Sequence, residues 1–353
     1  MQIGIVGLPN VGKSTLFKAL TKKVVDASNY PFCTIDPNVG IVAVPDERLE
    51  KLAQISKSEE IIPTTIEFVD IAGLVKNAHK GEGLGNKFLS HIREVDAIVE
   101  VLRDFSNNDI IHVEGKVDPE RDREIISLEL VMADLQTVDK KFERVSKDAK
   151  SGDKELIKIA EILKKVKEKL ENGEWANELN LSEKEKILIR DLNLLTLKPL
   201  IHIYNISGNE EKYESLSAIA LTKEDKQLYI DAKKESEYAG LTNKELEELG
   251  IKQTGLDKLI KVSYNLLNLI TFLTTGEKET RAWTVKRNTP AQLTAGVIHT
   301  DFIKGFIRAE VIKYEDFIKH NGEIGAKEKG LMRVEGKDYI VQDGDIMHFR
   351  ISN

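Results

Sequence analysis

One cysteine, Cys33, occurs in 353 residues. Intramolecular disulfides and cysteine-rich zinc sites are therefore excluded, and a single thiol in a chain rich in Lys and Glu fits a reducing compartment. No uninterrupted apolar run reaches the roughly 18 residues that a membrane-spanning helix needs. Positive charge is not in excess: 52 Lys and Arg stand against 59 Asp and Glu, a formal net charge of −7. A uniformly basic nucleic-acid coat is thus excluded, and any contact with phosphate backbones has to come from a local patch. The first residues enter a strand-like pattern without a charged leader, so no signal peptide is expected. Clean internal repeats and low-complexity tracts are lacking as well. What remains is an ordinary globular balance, 41 % apolar and 31 % charged, which argues against a disordered or collagen-like chain. At about 150 residues per domain the length predicts two or three domains, in a cytoplasmic protein with no membrane partner.

Short apolar runs at Gln2–Val6, Gly40–Val44, Ile66–Ile71, Ala97–Leu102 and Leu200–Tyr204 read as strands, with helical segments between several of them. Strands alternating with helices predict an α/β fold with a mostly parallel sheet. The rhythm breaks between residues 118 and 197. Leu128, Val131, Leu135, Val138, Phe142 and Val145 form one heptad seam, and Leu156, Ile159, Leu163, Val166 and Leu170 form a second. Ser151-Gly152-Asp153 between them signals a turn, so an antiparallel helical hairpin is predicted. From Lys140 to Leu170 there are 11 Lys/Arg against 6 Asp/Glu. This local positive arm is either a solvated coiled-coil face or a contact for phosphate backbones. Thr275-Gly276-Glu277 reads as a linker to a small β-rich module, with Asp343-Gly344-Asp345 as a hairpin-type turn. The predicted domains are 1–117 with 198–274, an inserted 118–197, and 275–353.

Gly7-Leu-Pro-Asn-Val-Gly12-Lys13-Ser14 satisfies G-x-x-x-x-G-K-[ST], after an apolar strand and before a helical pattern. Glycines at this spacing let successive backbone N–H groups curl around phosphate oxygens, and the helix adds its positive end. Asn10, Val11, Gly12, Lys13, Ser14 and Thr15 are the expected cradle. Lys13 would reach the β- and γ-phosphates and act in catalysis, and the Ser14 hydroxyl would ligate Mg²⁺. Asp70-Ile-Ala-Gly73 ends a second strand. Asp70 would hold the metal's water shell and Gly73 would bring an N–H to the γ-phosphate. Thr34, in Tyr30-Pro-Phe-Cys-Thr34, is the expected switch threonine and third metal ligand. Gly81, Gly83 and Gly85 suit a segment that reshapes when the γ-phosphate leaves, or are plain loop glycines.

Gly4–Phe17, Tyr30–Asn38 and Asp70–Val75 together resemble the Obg-related P-loop NTPases. Gly81–Asn86, Asp109–Val113, Arg281–Thr284, His299–Phe302, Lys304–Arg308 and Gly336–Ile340 narrow the resemblance to the YchF, or Obg-like ATPase, family. The resemblance runs nearly end to end. It implies a G domain interrupted by a coiled-coil domain and followed by a β-grasp-like TGS domain. It also implies hydrolysis of ATP with Mg²⁺ and binding to the ribosome, including its large subunit; a monomer is expected, and the basic arm, from its local charge, is the expected contact for ribosomal RNA. Hydrolysis in that family is attributed to the loop histidine matched here by His112. The Ras-type glutamine position holds Leu74, which cannot orient water.

Relatives that read guanine use N-K-x-D, whose Asp accepts two N–H bonds from the guanine edge. Here the equivalent strand ends in Asn205-Ile206-Ser207-Gly208. Asn205 and Ile206 are expected beside the base, with Ala232 from the last base loop. Gly208 replaces the acidic residue, departing even from the N-x-x-E of the resembled family, and Glu210 or Glu211 could shift in. Loss of such an acceptor forfeits up to ~10⁴-fold selectivity, so ATP is expected over GTP. A GTP-dependent switch and a nucleotide-binding adapter with negligible turnover are the alternatives.

Overall fold

The computed structural model describes residues 1–22, 38–71, 84–106, 116–207 and 227–352. Cys33, Thr34, Gly73, Leu74, Gly81, Gly83, His112, Gly208, Glu210 and Glu211 lie outside the described residues. In chain order the elements begin β1 (Gln2–Val6), α1 (Lys13–Lys22), β2 (Val39–Ala43), α2 (Arg48–Ser56), β3 (Glu60–Ile62) and β4 (Thr65–Asp70). There follow α3 (Leu84–Glu94), β5 (Ala97–Arg103), α4 (Pro119–Asp148), α5 (Lys154–Glu171), α6 (Glu183–Leu188), β6 (Leu200–Asn205) and β7 (Gln227–Ile230). Next come α7 (Ala232–Tyr238), α8 (Asn243–Glu248), α9 (Gly255–Leu266), β8 (Leu269–Thr275) and β9 (Glu279–Lys286). The last are α10 (Ala291–Ile298), α11 (Asp301–Gly305), β10 (Phe306–Lys313), α12 (Tyr314–Lys319), α13 (Glu323–Glu328), β11 (Arg333–Glu335) and β12 (Asp345–Ile351).

The chain divides into two compact units, the first holding, among the described residues, 1–22, 38–40 and those between 67 and 256. Its sheet runs β2-β4-β1-β5-β6-β7. The pairs β1/β4, β1/β5, β5/β6 and β6/β7 are all parallel. β5 is buried along its whole length, AIVEVLR, as a strand covered on both faces must be. Central β1 therefore delivers its C-terminal end, and the loop after it, to the middle of the sheet edge where α/β folds bind ligands.

The helical hairpin is part of this same unit. Asp118 caps α4, its carboxylate accepting the Arg121 N–H at 3.2 Å, and Pro119 occupies the first turn. Asp153 caps α5 in the same way. Val131, Val138 and Val145 meet Ile162, Leu163, Val166 and Leu170 in one buried cluster, with Leu135, Phe142, Leu156 and Ile159 along its border. Leu128 is the exception to the expected seam: it is 56 % exposed, because the facing helix does not extend to the base of the longer α4. The base of the hairpin is anchored by Asp134 of α4. Its carboxylate accepts the N–H and hydroxyl of Thr196, each at 2.7 Å, and lies 3.5 Å from the Arg93 guanidinium at the end of α3. Leu163 is fully buried. Leu163→Ala is expected to destabilise the hairpin by about 2–5 kcal/mol, read by urea unfolding followed by circular dichroism.

The second unit holds residues 41–66 and 257–352 among the described residues. Its sheet order is β11-β10-β12-β8-β9-β3. β8/β9 and β10/β12 are antiparallel, and β3 adds in parallel to β9, Glu60 opposite Glu279. Alternation along β8 sends Phe272 to one face, against α10, and Leu273 to the other, against Leu49 and Leu52 of α2. Two sequence expectations are corrected here. Thr275-Gly276-Glu277 is the turn of the β8–β9 hairpin and not a linker between units: Gly276 N–H donates to the Glu279 carbonyl. The second unit also recruits α2 and β3, because the apolar face of α2 covers one side of its sheet. An isolated antiparallel bridge joins Ile340 to Pro290.

Candidate nucleotide site

The loop between β1 and α1 is shaped by backbone constraint. Asn10 is in the left-handed region at φ 63°, a conformation Asn tolerates. Gly12 has φ 100°, and a Cβ there would lie 2.2 Å from Asn205 Nδ2. Only glycine satisfies both the dihedral and the close approach. Asn205, at the end of β6, fastens the loop to the opposite wall. Its Nδ2 donates to the Val11 carbonyl at 2.9 Å. Its Oδ1 accepts the Ala232 N–H at 3.3 Å and the Ser207 hydroxyl at 2.7 Å.

Lys13 opens α1 and is only 8 % exposed. Its ammonium donates to the Leu8 carbonyl at 2.8 Å. Burial lowers its pKa from 10.5 to about 8, against the opposing pull of Asp70. Asp70, ending β4 beside Ile5 of β1, is pushed above the usual carboxylate range by burial. The Lys13 charge and a hydrogen bond from the Ser14 hydroxyl act the other way. A desolvated carboxylate and a hydroxyl oxygen thus converge beside a buried ammonium. Those hard oxygen donors fit Mg²⁺, which takes one or two protein oxygens and otherwise water and phosphate.

A cavity of about 680 Å³ adjoins the loop, lined by Asn10, Gly12, Lys13, Ser14, Thr15, Asn205 and Ala232 together with Phe105, Ser106, Ser207 and Lys233. The first seven of these were expected to bind nucleotide. Val11 and Ile206 were too, but their side chains are 1 % and 0 % exposed and do not line the cavity. Val11 contributes its carbonyl to Asn205, and the Ile206 N–H goes to the Ile230 carbonyl. The alternation of β6 and its turn points Ile206 into the core. Thr34, Gly73 and His112 are not among the described residues.

Phe105 and Ser106 were missed by the sequence reading, whereas Ser207 and Lys233 adjoin the expected base-loop residues Ile206 and Ala232. Phe105 and Ser106 lie two and three residues past the end of β5, Ser207 two past β6, and Lys233 in the first turn of α7, and that position at the C-terminal sheet edge was the available signal. Phe105 is held by Arg103, whose guanidinium lies 4.6 Å above its ring and whose Nε donates to its carbonyl. Among the described residues no carboxylate lines the cavity. Asp231, next to Ala232 in sequence, caps α7 through the N–H groups of Lys233 and Lys234.

Residues 2–160 match the family model described as 50S ribosome-binding GTPase. Residues 269–352 match YchF-GTPase_C, described as a protein of unknown function (DUF933). The Ribosome-binding ATPase YchF of Bacillus subtilis is 52 % identical over 360 residues, covering 99 % of this chain and 98 % of that protein. That of Haemophilus influenzae is 53 % identical over 359 residues, with the same coverage. The solved structure of the Schizosaccharomyces pombe YchF GTPase superposes with a TM-score of 0.85 at 37 % identity, covering 99 % of this chain and 97 % of the other.

Proposed function

The chain belongs to the YchF family, and from that premise we propose that it is a ribosome-binding ATPase that hydrolyses ATP to ADP and phosphate with Mg²⁺. The observation that carries the choice of base is the cavity wall. It offers Phe105 as an apolar face and amide, hydroxyl and ammonium groups, but among the described residues no carboxylate. Guanine recognition by two N–H bonds needs such an acceptor, whereas adenine does not. Relatives divide in their names, ATPase in Bacillus subtilis and GTPase in Schizosaccharomyces pombe. The GTP-switch reading would require an acidic side chain such as Glu210 or Glu211 at the base edge.

Lys13 and the loop N–H groups neutralise and orient the phosphates, which is most of what phosphoryl transfer asks of a protein. Phosphate oxygens replace the Leu8 carbonyl as partners of Lys13 and restore its full charge. Ser14 and Asp70, with Thr34 by family resemblance, would hold Mg²⁺, which would supply charge neutralisation to the triphosphate when bound. His112, matched to the family's loop histidine, takes the role of positioning the attacking water, since a neutral imidazole accepts a hydrogen bond near pH 7. Multiple-turnover phosphate release, with and without ribosomes, tests this reading. Turnover dependent on Mg²⁺ and on Lys13 supports it, and single-turnover binding without release supports the adapter.

The ribosome contact is assigned to the basic hairpin and the TGS-type C-terminal unit, in a monomeric cytoplasmic protein, with ribosomal RNA of the large subunit as the backbone contacted. Lys140, Arg144 and Lys147 share one exposed face of α4, four and three residues apart. Lys141 and Lys167 are instead engaged with Asp191 and Asp139, at 2.7 and 2.6 Å. Reversing Lys140, Arg144 and Lys147 to Glu is expected to weaken ribosome co-sedimentation by about tenfold or more and to flatten its salt dependence. Nucleotide affinity stays unchanged. Unaltered sedimentation would remove the arm from the contact.

A further inference from the structure

A second cavity, of about 550 Å³, opens in the first unit away from the phosphate loop, between β5, β6, the start of α4 and the segment after α5. At its floor Glu100 of β5 faces His202, its register partner on β6. Glu100 is 2 % exposed. Its Oε2 lies 2.8 Å from His202 Nδ1, while Oε1 is buried without a hydrogen-bond partner. Glu124 and Glu178 add two carboxylates to the lining, and among the described residues Arg123 is the one Lys or Arg there. Arg123 is already paired with Glu120 at 2.9 Å, and Glu178 with Lys169 at 3.0 Å. The walls are apolar: Leu128, Leu200 and the Trp175 indole, whose N–H is fixed on the Ser127 hydroxyl at 2.6 Å. The exposed Leu128 is thereby accounted for as a wall of this cavity.

A buried carboxylate with an empty acceptor is costly unless a donor reaches it. The lining defines that donor: a cation carrying N–H groups, on an apolar stem that can lie along Trp175 and Leu128, with a further carboxylate, Glu124, beside it. We propose that this cavity binds an alkylammonium group, its nitrogen donating to Glu100 Oε1 and its methylene stem packed on Trp175, Leu128 and Leu200. Burial already holds the Glu100 carboxyl above its ordinary range, and a bound cation would offset that penalty. The site uses no residue of the phosphate loop and does not depend on which nucleotide is hydrolysed.

The same head group and stem occur in a free aliphatic diamine and in a lysine side chain of a partner protein. Titration calorimetry of the full chain with 1,5-diaminopentane and, separately, with Nα-acetyl-lysine methylamide distinguishes them. Tighter binding of the diamine assigns a free amine, and tighter binding of the lysine amide assigns a protein-borne one. In either case Glu100→Gln is expected to weaken binding by about tenfold to a hundredfold, the value of a charged hydrogen bond. Leu128→Lys, at an exposed position that the fold tolerates, supplies a tethered ammonium and should compete to a similar extent. Nucleotide affinity serves as the check that each variant is folded, and Leu128→Lys decides if Glu100→Gln fails that check. Absence of binding by both probes at millimolar concentration, or binding unchanged in the folded variants, would overturn the proposal.

Discussion

Lys13→Met is expected to lower the turnover of triphosphate hydrolysis by about 10²–10³-fold while leaving the free protein at least as stable. The two effects have one cause. The ammonium is buried at the sheet edge, where it donates to the Leu8 carbonyl at 2.8 Å. Charge held there for the phosphates is a penalty in their absence. Its folded pKa, lowered from 10.5 to about 8, sets the sign. Between these values the unfolded chain binds more protons than the folded one, so stability rises with pH across that window. Below about pH 8 both states are protonated and the folded state carries the whole penalty. Melting curves from pH 8 to 10 should therefore show wild type gaining stability relative to Lys13→Met. A constant difference across the window would mean that Lys13 is not desolvated as described.

Gly12→Ala is expected to reduce nucleotide affinity by about a hundredfold. Alanine at φ 100° is strained by about 1–3 kcal/mol. Its Cβ would also stand 2.2 Å from Asn205 Nδ2, so the amide must move. Asn205 then loses the Val11 carbonyl, and the Ala232 N–H and Ser207 hydroxyl lose their acceptor. Losing such buried hydrogen bonds costs about 1–3 kcal/mol. A total near 3 kcal/mol corresponds to roughly a hundredfold in affinity. Gly152→Ala provides the control. Gly152 also has positive φ, 87°, but nothing lies within 4 Å of the added carbon. That variant should lose only about 1 kcal/mol of stability and bind nucleotide normally. Fluorescent-nucleotide titration of both variants separates loop collapse from general destabilisation.

The phosphate loop was legible because its chemistry is local: glycine, lysine and serine at fixed spacing between a strand and a helix dictate one backbone path. The hairpin was legible because heptad spacing is local too, although Leu128 belongs to the pattern and not to the packed seam. What the sequence hid was brought together by topology. Phe105 and Ser106 join the expected Asn205 in one cavity because β5 and β6 end side by side. Glu100 meets His202 only through the register of β5 on β6. The recruitment of β3 escaped notice because three residues, Glu60–Ile62, are too short to show a period. Their pairing with β9 is visible only once the second sheet is assembled.

Equilibrium binding of non-hydrolysable ATP and GTP analogues, each with Mg²⁺, tests the central claim most directly. A base wall with no carboxylate among its described residues predicts that the ATP analogue binds tighter by about tenfold or more. Equal affinities, or tighter binding of the GTP analogue, would contradict it and place an acidic acceptor at the base edge.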